Sequence, residues 1–253
     1  MKKQINKIVY LTIDDAPTKN FKEKINFLYK NSIPAIFFCI GKKMKNFETD
    51  LIYAVKKGFI IGNHSFNHLY FSDLSIKNCF TEIKKTDKII DKIYKKAGIQ
   101  RPTKLFRFPY LDKGGHENSK AYENNWLKYA KLNKKQKIQG FLKELGYAQP
   151  NFKCITLKWF NKLKLLKDND IFMTFDQMEY WLDDAHAPYG LSKEKTIMDR
   201  IDEDYPEQGR SLNYQKTSDI IMIHDMEHTN KLFFKIIKKY IKKRFIFKLP
   251  KFN

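Results

Sequence analysis

Short apolar runs recur along this chain, and most of them stop at a polar residue. KIVYLTI (7–13) runs into Asp14 and Asp15; PAIFFCIG (34–41), GFIIGNH (58–64), KLFRFPY (104–110), DIFMTF (170–175) and DIIMIH (219–224) follow. Each has the length of a strand. Between them lie longer stretches with apolar residues at helical spacing. These predict helices over 21–32 and about 46–57, then a long helix capped near Ser72 or Ser75 and closed by Gly98. Ile76, Phe80, Ile83, Ile90 and Tyr94 share one face of that helix. A Lys/Asn-rich stretch predicts a helix over about 117–145, and a last helix over about 228–243 leads into FIFKL (245–249). Strand-length runs alternating with helices are the pattern of an α/β fold with a largely parallel sheet. No repeat or linker divides residues 1–253, so a single domain is expected, with an inserted loop region around 183–218 where acids, Pro and Gly cluster.

Composition narrows the function classes. The 253 residues are 42% hydrophobic and 15% aromatic, enough for a sizeable core and too many for a disordered chain. No run approaches the roughly 18 apolar residues of a membrane span. The N-terminus has no signal-peptide apolar segment before its first acid, so the chain as written is expected in the cytoplasm. A sequence beginning at a domain boundary would leave an exported location open. Cys39, Cys79 and Cys154 form no CxxC pattern and read as buried free thiols. The net charge of +21 suggests an anionic partner, but only five of the 49 basic residues are arginine. The lysines spread through almost every helix, which compositional bias explains as well as function does. No nucleic-acid-binding motif appears, and no nucleic acid partner is expected.

In parallel α/β folds, side chains at the carboxyl ends of strands converge on one site. Asp14 and Asp15 end the first run, His64 ends the third and Arg107 lies within the fourth. Asp176 follows DIFMTF, and His224 ends DIIMIH. His64 and His68 are four residues apart, so one helical turn would put both imidazoles on one face. With a carboxylate they would make an N,N,O metal site with open positions. The blander readings are surface histidines, and an aspartate capping a helix that starts beyond Pro17. His116, His186 and His228 have no partner pattern and read as structural.

TIDDAP (12–17), HSFNH (64–68), RFPY (107–110) and IMIHD (221–225) stand in the order and spacing of the polysaccharide deacetylases. The chain resembles that carbohydrate esterase family, which shares the NodB-homology domain, over roughly residues 7–249. The resemblance implies a deformed (β/α) barrel of about seven parallel strands. It also implies one divalent metal, usually zinc, with Co2+, Ni2+ or Mn2+ as alternatives. By the same resemblance Asp15, His64 and His68 look like the metal ligands. Asp14 looks like the general base, and Arg107 like the group that orients it. Tyr110 would offer its backbone N–H to the oxyanion, and His224 looks like the general acid. Pro109, Trp181 and Met222 would line the substrate pocket, Met222 where leucine is usual. Two further departures stand out. Ala16 replaces a usual glycine, and TFDQMEYWLDD (174–184) offers several acids to support His224. Asp176 is the expected supporter because it follows the strand directly, with Glu179 and Asp183 as competitors.

These residue types suit amide hydrolysis. A metal lowers the pKa of water toward 7, a base takes its proton and donors hold the oxyanion. The departing amine needs an acid, and a carboxylate beside a histidine keeps it protonated. The expected reaction is therefore N-deacetylation of a polysaccharide, oligosaccharide or lipid-linked sugar. Two alternatives remain at this point. One is a same-fold amidohydrolase acting on a cyclic amide or ureide. The other is a non-catalytic basic module, for which NKLFFKIIKKYIKKRF (230–245) would make peripheral contact with an anionic membrane surface. Packing of that helix on the sheet through Leu232, Phe233, Ile236, Ile237, Tyr240 and Ile241 is favoured over membrane contact.

Overall fold

The computed structural model describes residues 7–115 and 132–252. Its axis is β1, Ile8–Ala16, buried along nearly its whole length. Side chains alternate across a strand, and here the alternation feeds two cores. Val9, Leu11 and Ile13 pack in one apolar cluster, while Tyr10 packs in another. Thr12 and Asp14 share the Tyr10 face by the same period. β2 (Ala35–Cys39) and β5 (Asp219–His224) divide in the same way. Phe37, Ile221 and Ile223 join the first cluster, and Phe38, Ile220 and Met222 the second. A sheet covered on both faces explains why these runs read as continuously apolar.

β3 (Ile60–Asn63), β4 (Phe175–Asp176) and β6 (Ile246–Phe247) complete the ladders. The order is β3-β2-β1-β5-β4, with β6 on the start of β1, and every pairing is parallel. The helices are α1 (Phe21–Lys30), α2 (Gly41–Met44), α3 (Glu48–Lys56), α4 (Ile76–Ala97), α5 (Leu132–Glu144), α6 (Lys158–Lys162), α7 (Glu194–Asp199) and α8 (Asn230–Lys242). Ser75 caps α4 by accepting the Asn78 N–H, and Gly98 ends it at φ 70°. Part of the stretch expected to be helical over 117–145, and His116 with it, lies outside the described residues. The region 183–218 is a series of short helical turns around α7.

The sheet closes irregularly, as a deformed barrel. The Asn63 N–H donates to the Leu105 carbonyl (2.8 Å), and the Ile171 N–H to the Phe106 carbonyl (2.8 Å), so residues 105–106 bridge β3 to the run leading into β4. An expectation changes here. KLFRFPY is joined by isolated bridges rather than a ladder, and stands beside six ladder strands among the described residues. The Arg107 carbonyl accepts from the His64 ring (2.8 Å), and Tyr110 and Leu111 turn the chain away at φ 54° and 56°. Cys154 is exposed, whereas Cys39 and Cys79 are buried free thiols as expected.

α8 lays Leu232, Phe233, Ile236, Ile237 and Tyr240 into the core, with Ile241 at the solvent edge. Its Lys235 and Lys239, with Lys243 just beyond its end, form ion pairs with Glu194 and Asp202. Among the described residues no helix is long and apolar enough to cross a membrane.

A buried ion pair locks the end of β5 to α1. The Lys24 ammonium lies 2.6 Å from Asp225 Oδ1, and both side chains are fully buried. The Thr18 N–H donates to Asp225 Oδ2 (2.8 Å) and the Thr18 hydroxyl to Oδ1 (2.7 Å). Removing one partner strands a charge in the interior, which is costlier than never burying the pair. Lys24→Met should destabilise the fold by about 3 kcal/mol, read as a lower urea midpoint at unchanged slope. An unaltered midpoint would mean that the pair contributes nothing.

Candidate active site

Asp14 and His224 occupy matched positions at the carboxyl ends of the adjacent strands β1 and β5. Arg107 enters beneath them, with its side chain completely buried. Its Nη1 donates to Asp14 Oδ1 and to Thr12 Oγ1, both at 2.7 Å, and its Nε donates to the Ile171 carbonyl at 3.0 Å. Phe38 covers the guanidinium from 4.5 Å. Thr12 and Asp14 are two residues apart on one face of β1, which is why one guanidinium nitrogen reaches both.

Asp15 would point into the opposite core if the pleat continued. Instead it turns at φ 63°, a left-handed conformation that costs a non-glycine residue energy. Both acids thereby reach the same end of the barrel. Asp15 Oδ1 lies 3.0 Å from His68 Nε2 and 3.5 Å from His64 Nε2, and Asp14 Oδ2 lies 3.8 Å from His64 Nε2.

These residues fit a metal. One ligand atom each from Asp15, His64 and His68 gather within 4.8 Å of one another. A carbonyl can only accept, so His64 Nδ1 carries the proton it donates to Arg107, and Nε2 keeps its lone pair toward Asp15. Asp15 Oδ1 is buried and accepts no well-formed hydrogen bond despite its two histidine neighbours. A cation between Oδ1 and the two ring nitrogens would satisfy all three. Burial, against the pull of Asp14, pushes His64 down to about 4, so the imidazole is neutral at pH 7. Burial would raise the Asp15 carboxyl, but its histidine neighbours, His68 foremost, hold it well below the usual carboxylate range.

The segment carrying the histidines is a loop, not the expected helical turn: Ser65 and His68 have φ of 61° and 58°. Side chains that sequence reasoning passed over hold it. Asn63 Oδ1 accepts the Ser65 N–H at 2.9 Å, and Ser65 Oγ accepts the His68 N–H at 3.1 Å. Glu82 on α4 takes the N–H groups of Phe66 (3.0 Å) and Asn67 (2.6 Å) together with the Asn67 side chain (2.7 Å). Its one sequence signal is a carboxylate on the buried stripe of α4, beside Cys79, Ile83 and Thr86. On the other side, the Gly41 and Lys42 N–H groups donate to the carbonyls of Ser65 and Phe66 at 2.9 Å. Any side chain at residue 41 would collide with Thr86, since a Cβ would lie 2.2 Å from its hydroxyl.

His224 faces a different carboxylate from the one expected. Glu179, not Asp176, receives the Nδ1 proton at 3.1 Å, and it also accepts the His224 backbone N–H. Asp176 lies close enough to form a cluster with both, but its oxygens take the Met178 N–H (2.8 Å) and the Tyr180 hydroxyl (3.2 Å). The chain turns left-handed at Met178, φ 58°, and this swings Glu179 back beneath the imidazole. Asp183 sits beyond this turn, with its N–H bonded to the Ser192 carbonyl. Burial would lower His224, yet the charge and hydrogen bond of Glu179 dominate and push it up to about 10. Enclosure and the neighbouring Glu179 push Asp176 up to about 6 against the pull of His224. Trp181 departs from expectation too. It packs on the main core, and the ring set against His224 is that of Tyr180, 4.8 Å away and nearly perpendicular.

Met222 lies two residues before His224 on the same face of β5, and Pro109 is buried in the turn after Arg107. Tyr110 is 40% exposed and stacks on Tyr70 at 3.9 Å, with the His68 ring 4.6 Å away. The His228 ring donates to the Tyr180 carbonyl at 3.3 Å, and the His186 N–H donates to Asp184.

A family model described as Polysaccharide deacetylase matches residues 1–134. Over 105 residues, 41% of this chain and 21% of the relative, the chain is 37% identical to the peptidoglycan-N-acetylmuramic acid deacetylase PdaC of Bacillus subtilis (strain 168). Over 120 residues, 47% of this chain and 42% of the relative, it is 28% identical to a peptidoglycan-N-acetylglucosamine deacetylase of Bacillus cereus. The match thus spans less than half the length of either relative. Among solved structures, a family 4 carbohydrate esterase from Streptomyces lividans superposes with a TM-score of 0.60 at 17% identity, covering 97% of this chain and 93% of that one. A CE4 family pseudoenzyme from Bacillus anthracis gives 0.59 at 15%, covering 95% and 62%. At these identities the likeness is one of fold. With a pseudoenzyme among the neighbours, the fold alone does not carry an activity; the site residues must.

Two measurements test this electrostatic arrangement. Glu179→Gln removes the charge that keeps His224 protonated, so the imidazole should titrate well below about 10, toward the ordinary 6.5. NMR titration of the ring reads this, and an unmoved midpoint would refute the pairing. Glu82→Ala should weaken divalent-metal affinity by about tenfold or more, as loss of an outer-shell partner does, read by competition with a chelator.

Proposed function

Because the chain belongs to the polysaccharide deacetylase family, we propose that it is a metal-dependent hydrolase removing the acetyl group from an N-acetylated sugar. The observation that carries this reading is the register of β1 and β5. It sets Asp14, bonded to a guanidinium, beside His224, bonded to a carboxylate. One group is held ready to accept a proton and the other to give one. The peptidoglycan deacetylases among the relatives support an amino-sugar glycan as the substrate class.

A divalent ion, zinc for preference given the two imidazoles and one carboxylate, would be held by Asp15, His64 and His68 and would supply Lewis acidity that brings the pKa of water near 7. The remaining work falls to the chain's own groups. Asp14, fixed by Arg107, accepts the proton of the attacking water through the oxygen that faces His64. The Tyr110 N–H, on the left-handed turn after Pro109, is the donor offered to the developing oxyanion. His224 donates its Nε2 proton to the sugar nitrogen as the C–N bond breaks, while Glu179 stabilises the imidazolium and fixes its orientation. Acetate and the free amine leave, and the balance is one water consumed. Met222 and Tyr180 stand beside His224 as walls for the acetyl methyl. The intact Asp15, His64 and His68 set favours this chemistry over ring opening of a cyclic amide.

Chelation should abolish acetate release from N-acetylated glycans, and added Zn2+, Co2+, Ni2+ or Mn2+ should restore it to different extents. Persistence of full activity in chelator would remove the metal from the mechanism. Asp14→Asn should lower kcat by roughly a thousandfold, within the range for loss of a general base, while metal content stays at the wild-type level. Loss of the metal in this variant would exchange the roles of the two acids.

A further inference from the structure

Beside Asp15 the surface opens into a cavity of about 350 Å3, bounded by Pro17 and Thr18 on one wall, Lys43, Asn46 and Phe47 on another, and Met226 and Glu227 on a third. Asp15 itself forms part of the lining, so the cavity adjoins the proposed metal ligands. Its charges are unevenly committed. Glu227 pairs with Lys19 at 2.6 Å, and Asp225 is filled by Lys24 and Thr18. The half-buried Lys43 makes no ion pair among the described residues. Its ammonium donates once, to the Asp15 carbonyl at 3.0 Å. An ammonium has three protons to give, and that single bond fixes where the other two are available. Phe47 adds an apolar face and Asn46 an amide, the combination that accepts a sugar ring.

We infer that this cavity is a subsite for a carboxylate-bearing sugar next to the one that loses its acetyl group, with Lys43 as its counter-ion. The inference rests on the deacetylase reading above and adds to it a preference for acidic glycans. The carboxylate replaces water on an ammonium whose position is already set, so little ordering remains to be done on binding. A hydrogen bond to a charged group of this kind amounts to about a tenfold preference or more.

The test compares acidic glycans with neutral counterparts of the same length on metal-loaded enzyme. One pair is a tetrasaccharide of N-acetylhexosamine and hexuronate with its carboxyl-reduced form. The other is a glycan fragment bearing a lactyl ether carboxylate with its methylamide. Two readouts are taken: kcat/KM for acetate release, and the affinity of the deacetylated products by calorimetry. Wild type should favour the acid of at least one pair by about tenfold, and that pair identifies the source of the carboxylate. The acid-to-neutral ratio should fall toward one in Lys43→Met, hold in Lys43→Arg and narrow as salt is raised. Equal handling of acid and neutral forms by wild type, or a preference that survives Lys43→Met, overturns the subsite. Absence of acetate release from every glycan would count against the deacetylase reading instead, and calorimetry would still decide the subsite.

Discussion

The site depends on one buried guanidinium. Arg107 donates to Thr12, Asp14 and the Ile171 carbonyl, while its own carbonyl accepts from His64. A single residue therefore sets the direction of Asp14, the tautomer of His64 and the closure of the sheet against the run leading into β4. It can be buried because its charge is opposed by Asp14 and its Nε and Nη1 protons are taken by oxygens, although Nη2 is buried without an acceptor. Lysine would supply the charge but not a planar fork able to reach a strand residue and a carbonyl on the opposite wall together.

Around this hub, two histidines of similar burial are driven in opposite directions. His64 is pushed down to about 4, and His224 up to about 10. Burial disfavours the charged form in both. The difference lies in the partner of Nδ1: His64 spends that proton on a neutral carbonyl, whereas His224 spends it on the carboxylate of Glu179. One fold thus keeps a neutral imidazole and a protonated one at the same end of one barrel.

Much of this was legible in the sequence wherever a regular period or a compact motif carried the information. The period-two alternation of β1 puts Thr12 and Asp14 on one face, and the runs before His64 and His224 become strands that deliver them to the same end. What escaped is irregular backbone. KLFRFPY reads as a strand, but it pairs only through isolated bridges, and the Arg107 carbonyl turns to His64. HSFNH reads as a helical turn because the spacing fits, yet the loop is built from left-handed residues tied down by Asn63 and Glu82. Asp176 ends its strand and so reads as the residue that faces the histidine. A left-handed Met178 gives that place to Glu179 and sets Tyr180, rather than Trp181, against the ring. Single left-handed residues leave no periodic signature, so neither spacing nor propensity announces them.

The pairing of β1 with β5 and the bond from Thr18 to Asp225, 207 positions apart, have a kinetic meaning as well as a structural one. The centre of the sheet is made from the two ends of the described chain, so its closure entropy falls due late, after the intervening helices are in place. On a ribosome, β1 with its paired acids emerges long before the strand that brings His224. Until then the half-built sheet exposes an apolar edge along β1, the kind of edge that invites aggregation. The same contact that brings Asp14 beside His224 thus makes the nascent chain dependent on β5 for protection.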